Sequence, residues 1–176
     1  MPKNKKMCII IDVDGTIVSE KDDSQIILPT ENDRKVWNLF HKNKKYYRVS
    51  QFKPNKNIVD IIKAIINNMP EVYLMFLTAR ENVENKPIFL NTYRLIRKIF
   101  GFQPTDFGRK FYILMREEND FRSSDIVKED ILKNEILHNF LPVLAIDDEE
   151  PNIKMFEKNG INCIRAVRKG DLLNEQ

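Results

Sequence analysis

Cysteine is almost missing from this chain. Only Cys8 and Cys163 occur in 176 residues, both among isoleucines and neither in a CxxC or Cys/His spacing. That pattern excludes a disulfide framework or a thiolate zinc site and predicts two buried free thiols in a reducing compartment. Long hydrophobic runs are missing too, since none approaches the ~18 apolar residues of a membrane span. The basic MPKNKKM at the N-terminus leads into a short apolar stretch that ends in acid, which does not fit a secretory signal peptide. A cytoplasmic location with no membrane partner is the expectation. Internal repeats, low-complexity tracts and Gly/Ser linkers are absent, so residues 1–176 are expected to form one domain.

What is present suits a packed core, with 42% hydrophobic and 31% charged residues. Short apolar runs of strand length recur: MCIIIDV (7–13), VYLMFLT (72–78), FYILM (111–115), PVLAID (142–147) and INCIRAV (161–167). They are continuous rather than alternating, as in strands buried on both faces. Helix-like stretches lie between them at about 31–42, 56–69, 87–100, 125–139 and 150–159. The alternation predicts an α/β fold, a Rossmann-like three-layer α/β/α sandwich on a mainly parallel five-stranded sheet.

Such sheets bind ligands at the carboxyl ends of their strands. The first strand there reaches Asp12-Val13-Asp14-Gly15-Thr16, the second Thr78-Ala79-Arg80, and the fourth Asp147-Asp148-Glu149-Glu150. Carboxylates converging on one sheet edge repel one another unless a cation sits among them, and hard oxygen donors at this density suit Mg²⁺. A divalent metal in turn implies a phosphorylated substrate. In Asp12-x-Asp14 the chain turns at Gly15, so the two acids are presented differently, one to attack phosphorus and the other to handle protons. A calcium loop of the D-x-[DN]-x-[DN]-G kind does not fit, because Thr16 follows Gly15 and the later glutamate position is unfilled. Thr78 can donate to a phosphoryl oxygen, and Lys128 can neutralise it. If Ser124 or Asp125 caps the helix running through DIVKEDILKNEIL, Lys128 falls in its first turn, where a cation opposes the macrodipole at up to ~1 kcal/mol. A site that needs a cation explains that placement.

DVDGT after one strand, LTAR after a second, the lysine in IVKEDIL and AIDDEEPN after a fourth resemble the four ordered motifs of the haloacid-dehalogenase-like (HAD) phosphatase superfamily. The resemblance implies that Asp12 is a nucleophile forming an aspartyl-phosphate and Asp14 the acid, then base, for the leaving alcohol and water. It implies that Thr78 and Lys128 hold phosphoryl oxygens. Mg²⁺ would be held by the Asp12 carboxylate, the Asp14 backbone carbonyl and the Asp147-Asp148 motif, with Asp148 favoured as direct ligand. The stretch from MREEND to CIRAV, with TAR at 78–80 and DRKVWNLFHKN at 33–43, is similar to the 3′-phosphatase half of phage polynucleotide kinases and related viral HAD proteins. By that likeness Arg80, Arg122 and Arg34 would bind substrate phosphate or backbone. Asp22-Asp23 stand where an arginine would be expected, Ser124 where a carboxylate would be, and no GxxxxGK[ST] kinase loop occurs.

Charge is unevenly spread. Residues 34–63 hold nine Lys/Arg against Asp60 alone, a local +8 in a chain of net +3, interleaved with Trp37, Phe40, Tyr46, Tyr47 and Phe52. Such a segment can track a phosphate backbone while rings stack on bases, or simply be a solvated surface anchored by its aromatics. Residues 30–57 are expected as a small basic lid or groove wall. The intervals between motifs, about 60 and about 50 residues, leave no room for a large cap. A polynucleotide 3′-phosphatase is therefore the leading expectation, with a 3′-phosphate end of DNA or RNA as substrate. The alternatives are a nucleotide or sugar phosphatase, and a nucleic-acid-binding protein with a vestigial HAD site.

Overall fold

Apolar runs bounded by turn residues become strands here, and amphipathic stretches become the helices that cover them. The computed structural model describes residues 5–20, 52–82 and 88–167. In chain order these are β1 (Lys6–Ile11), β2 (Val18–Glu20), β3 (Phe52–Pro54), α1 (Lys56–Asn68), β4 (Tyr73–Asn82), α2 (Ile88–Phe100), β5 (Phe111–Glu117), α3 (Ser124–Ile131), β6 (Phe140–Asp147), α4 (Glu150–Lys158) and β7 (Cys163–Arg165). The expected helix at 31–42 lies outside the described residues, as do Arg34 and most of the 30–57 segment. Its described end forms β3 and the start of α1.

Five strands form one sheet in the order β5-β4-β1-β6-β7. Every neighbouring pair in it is parallel. β1 is the central strand, and its neighbours β4 and β6 belong to opposite halves of the chain, which makes its carboxyl end the topological switch point. Pro142, with no N–H to give the ladder, sits where β6 slips against β1, pairing Cys8 with Pro142 but Ile9 with Leu144. β2 and β3 make a separate antiparallel pair between β1 and α1.

Strand parity divides the core in two. Ile9 and Ile11 of β1, with Leu74 and Phe76 of β4, face the cluster built on Ile58, Val59 and Ile62 of α1 and Leu95, Ile96 and Ile99 of α2. Cys8 and Ile10, with Met75, Leu77 and Ala145, face Val127 and Ile131 of α3 and Met155 and Phe156 of α4. The outcome is the expected three-layer sandwich. At roughly 25 cal/mol per Å² of apolar surface removed from water, these two clusters supply most of the driving force for folding.

Two local expectations need correction. The cap of α3 is Ser123 rather than Ser124 or Asp125, so Lys128 lies in the second turn of the helix and its cost against the macrodipole is smaller than a first-turn position implies. Nor does this helix run evenly to residue 139, because a π turn spans Leu132–Ile136. Lys128, Leu132 and Ile136 are buried at steps of four residues, which overshoot a 3.6-residue turn. A wider turn absorbs the overshoot and keeps Ile136 inside while Glu135 stays exposed. Of the two cysteines, both free, Cys8 is buried as expected and Cys163 is only half-buried. Burial pushes both thiols up to about 12.

Candidate active site

Parity also sorts the polar groups at the sheet's carboxyl edge. Asp12 continues the Cys8–Ile10 side of β1, and Asp147 the Ala145 side of β6, so both carboxylates face α3. Lys128 rises from α3 between them, its Nζ donating to Asp12 Oδ1 at 2.7 Å and to Asp147 Oδ2 at 2.7 Å. All three side chains are nearly inaccessible, at 2%, 6% and 1% for Lys128, Asp12 and Asp147. Burial alone would lower the Lys128 pKa, but the two carboxylates outweigh it and raise the pKa above the ordinary lysine value. Asp12 is pushed well above the usual carboxylate range by burial, with Lys128 opposing and Asp147, Asp148 and Asp14 adding to the rise.

Beyond Asp12 the strand ends in a tight turn. Gly15 takes φ +88°, a conformation that costs L-residues with a Cβ about 1–2 kcal/mol. Its N–H donates to Val18 O at 2.7 Å, and Ile17 N–H to Val13 O at 3.1 Å. The turn puts Asp14 on the α2 side of the sheet. There Arg80 holds it as a fork, Nε on Oδ2 at 2.8 Å and Nη2 on Oδ1 at 2.7 Å. Thr78 Oγ1 donates to Asp14 Oδ2 at 3.3 Å. One motif thus feeds two environments, a sealed one around Asp12 and a half-open one around Asp14, whose side chain is 48% exposed.

The third edge comes from β6 and α4. Asp148 Oδ1 accepts from Thr16 Oγ1 at 3.1 Å. Both oxygens of Asp147 are engaged, Oδ2 by Lys128 and Oδ1 by Glu149 N–H and Asn152 Nδ2, each at 3.0 Å. Asp12, Asp147 and Asp148 each offer a carboxylate oxygen, all within 4.8 Å of one another. Asp12 Oδ2 is buried and has no hydrogen-bond partner among the described residues. A buried carboxylate oxygen left without a described partner, in a cluster of three acids beside the Lys128 ammonium, is costly, and this donor set fits a hard divalent cation such as Mg²⁺.

The structure therefore brings together Asp12, Asp14, Thr78, Arg80, Lys128, Asp147 and Asp148. The Asp14 carboxylate is not part of the metal-compatible trio, being turned to Arg80. Arg122 is half exposed and paired with Asp120 and Asp130, and its carbonyl accepts from Arg116, which also donates to Ala79 O at the end of β4.

Several contributors carry little sequence signal. Thr16, Asn152 and Thr92 are each fully buried polar residues. Arg116, 8% exposed, donates to the carbonyls of Ala79, Asp120 and Arg122 at 3.1, 2.8 and 2.6 Å. It ties the end of β4 to the loop that leads into α3, and its burial lowers its pKa against the pull of Asp120 and Glu81. Asn152 was detectable as a polar residue near the start of an amphipathic helix beside an acidic strand end. Arg116 reads in sequence as one more surface arginine.

A Rossmann-like parallel sheet with this acid–lysine knot at its switch point is the HAD-like phosphatase fold. The chain belongs to the polynucleotide kinase PNKP phosphatase domain family, whose model matches residues 6–172, and is a HAD-type phosphatase. It is similar to a component of the Pnkp1/Rnl/Hen1 RNA repair complex, with 18% identity and TM-score 0.63 over 93% of this chain and 43% of that one. A second structure of the Pnkp1/Rnl/Hen1 complex gives 18% identity and TM-score 0.63 over 93% of this chain and 46% of the other. The chain thus spans less than half the length of these relatives. An inactive mutant of the HAD domain of effector protein Lem4 from Legionella pneumophila is 14% identical, with TM-score 0.50 over 98% of this chain and 93% of that domain. These likenesses show the fold. No curated protein matches the chain. No helix among the described residues is long and apolar enough to cross a membrane.

Proposed function

We propose that this phosphatase is a Mg²⁺-dependent phosphomonoesterase that works through an aspartyl-phosphate on Asp12 and acts on the 3′-phosphate ends of nucleic acid. The observation that carries the chemistry is the division of labour between two acids one residue apart. Asp12 is sealed against Lys128 with Oδ2 unpartnered among the described residues, while Asp14 is turned away onto Arg80 beside open solvent.

In the first half-reaction the Asp12 carboxylate attacks phosphorus, the P–O bond to the alcohol breaks, and protonated Asp14 gives its proton to the departing oxygen. In the second, water attacks the acyl phosphate and yields a proton to Asp14. Inorganic phosphate leaves, and the Asp12 carboxylate is restored. Thr78 Oγ1 and Lys128 Nζ would donate to the transferring oxygens, and Lys128, bonded to Asp12, would restrain it for in-line attack. Asp12, the Asp14 carbonyl and Asp148 would hold Mg²⁺, with Asp147 acting from behind because its oxygens already serve Lys128, Glu149 and Asn152. When bound, the cation neutralises the trio and withdraws charge from the phosphoryl oxygens.

The substrate class rests on different support. The family is that of polynucleotide kinase phosphatase domains, and one relative of the same fold belongs to an RNA repair complex. Of the nine basic residues at 34–63, Lys53 on β3 and Lys56 at the start of α1 are described and exposed. Arg34 and Arg122 are candidates for backbone contact, Arg122 through its exposed guanidinium.

The test is phosphate release with Mg²⁺ from a panel of 3′-phosphorylated DNA and RNA, their 5′-phosphorylated equivalents, mononucleotides and sugar phosphates. Fastest turnover of the 3′ ends, abolished in Asp12→Asn and Asp14→Asn, is the expected result. A preference for mononucleotides or sugar phosphates overturns the substrate. Full activity in either variant overturns the mechanism.

A further inference from the structure

Arg80 is held on every side that the structure describes. Its guanidinium forks onto Asp14, its Nη1 donates to Thr92 Oγ1 of α2 at 2.8 Å, and its backbone N–H donates to Thr78 Oγ1 at 3.2 Å. Arg80 Cζ lies over the ring of Phe52, 4.7 Å from its centroid. Phe52 opens β3, is 7% exposed, and stands in register with Glu20 of β2. The backbone just past β3 is tied to the Asp14 turn, because Asn55 N–H donates to Ile17 O at 2.9 Å. A desolvated cation–π contact of this kind restrains a guanidinium more firmly than an exposed one.

We propose that Phe52 is a positioning residue for the acid/base step. Its ring presses Arg80 into the plane that gives two hydrogen bonds to Asp14, and so keeps Asp14 aimed at the leaving oxygen. In this arrangement Arg80 orients the acid, and the antiparallel β2–β3 pair, by way of Phe52, sets how well a poor leaving group is protonated. The proposal rests on the phosphatase reading above. The bond broken is the same P–O bond, and the proton still passes from Asp14 to the leaving alcohol.

Proton donation matters for an alkyl leaving group such as a 3′ hydroxyl and little for 4-nitrophenolate, which departs unaided. General acid catalysis is worth about 10²–10⁴-fold where it is needed. In Phe52→Leu, kcat on a 3′-phosphorylated oligonucleotide relative to kcat on 4-nitrophenyl phosphate should therefore fall about tenfold, a partial loss of that factor. Phe52→Tyr, which keeps the ring, should hold the ratio within about twofold of the parent. An equal loss on both substrates would make Phe52 an ordinary packing residue and overturn the proposal, as would an unchanged ratio in Phe52→Leu.

A second measurement does not require turnover. The Arg80 Nε–H resonance, assigned by its disappearance in Arg80→Lys, should exchange slowly with solvent in the parent and faster in Phe52→Leu. Unchanged exchange overturns the clamp. A parent protein that releases phosphate from neither substrate overturns the phosphatase reading instead, while the exchange rates still decide whether Phe52 restrains Arg80.

Discussion

Lys128 is the residue on which the sealed half of the site turns. One buried ammonium serves two buried carboxylates, so the trio carries a net negative charge that burial makes expensive. Removing the ammonium leaves both acids uncompensated. Lys128→Met should destabilise the metal-free protein by about 3–5 kcal/mol in urea unfolding, the cost of breaking a buried ion pair. Added Mg²⁺ should recover more of that loss in the variant than it adds to the parent, because the cation then meets a less neutralised trio. Unchanged stability would mean that Asp12 is protonated and the ion pair carries no energy. The residue types at this site were readable from sequence: an acid pair after an apolar strand, and a lysine in a helix of otherwise surface-like pattern. The pairing of Arg80 with Asp14 was not readable, because 66 residues separate them and both are common surface types.

At the scale of elements, the site depends on how β4 and α3 are held together. Arg116 does this by donating to carbonyls on the end of β4 and on the loop before α3, which fixes Thr78 and Lys128 on facing edges. Arg116→Met should cost about 2–3 kcal/mol, since three carbonyls lose a charged donor in a half-dry setting. Amide exchange in residues 118–123 should quicken selectively, and an unaffected loop would show that Arg116 is not its tether. Strand positions and the parallel sheet follow from apolar runs and their spacing, and the structure agrees with those expectations to within a few residues. The start of α3 and its π turn do not follow in the same way. Ser123, Ser124 and Asp125 are all competent caps, and only packing against the sheet selects which residue begins the helix.

At the scale of the whole molecule, the two core clusters form a stable frame under an edge rich in buried carboxylates, so a bound cation should register as global stability. With Mg²⁺ at a hundredfold excess over its dissociation constant, the stabilisation expected is about 2.7 kcal/mol, seen as a rise in melting temperature. The rise should vanish in Asp148→Asn. Persistence there with loss in Asp147→Asn would move the direct ligand to Asp147. Sequence by itself determined the layer architecture, the order of the four motifs and the chemical types at the strand ends, because periodicity and turn chemistry act over a few residues. Tertiary structure alone decided that Asp12 is sealed while Asp14 opens to solvent, that Arg80 forks onto Asp14, and that Phe52 backs Arg80. Those relations join residues far apart in the chain, and only the sheet order, strand parity and the Gly15 turn bring them within hydrogen-bond reach.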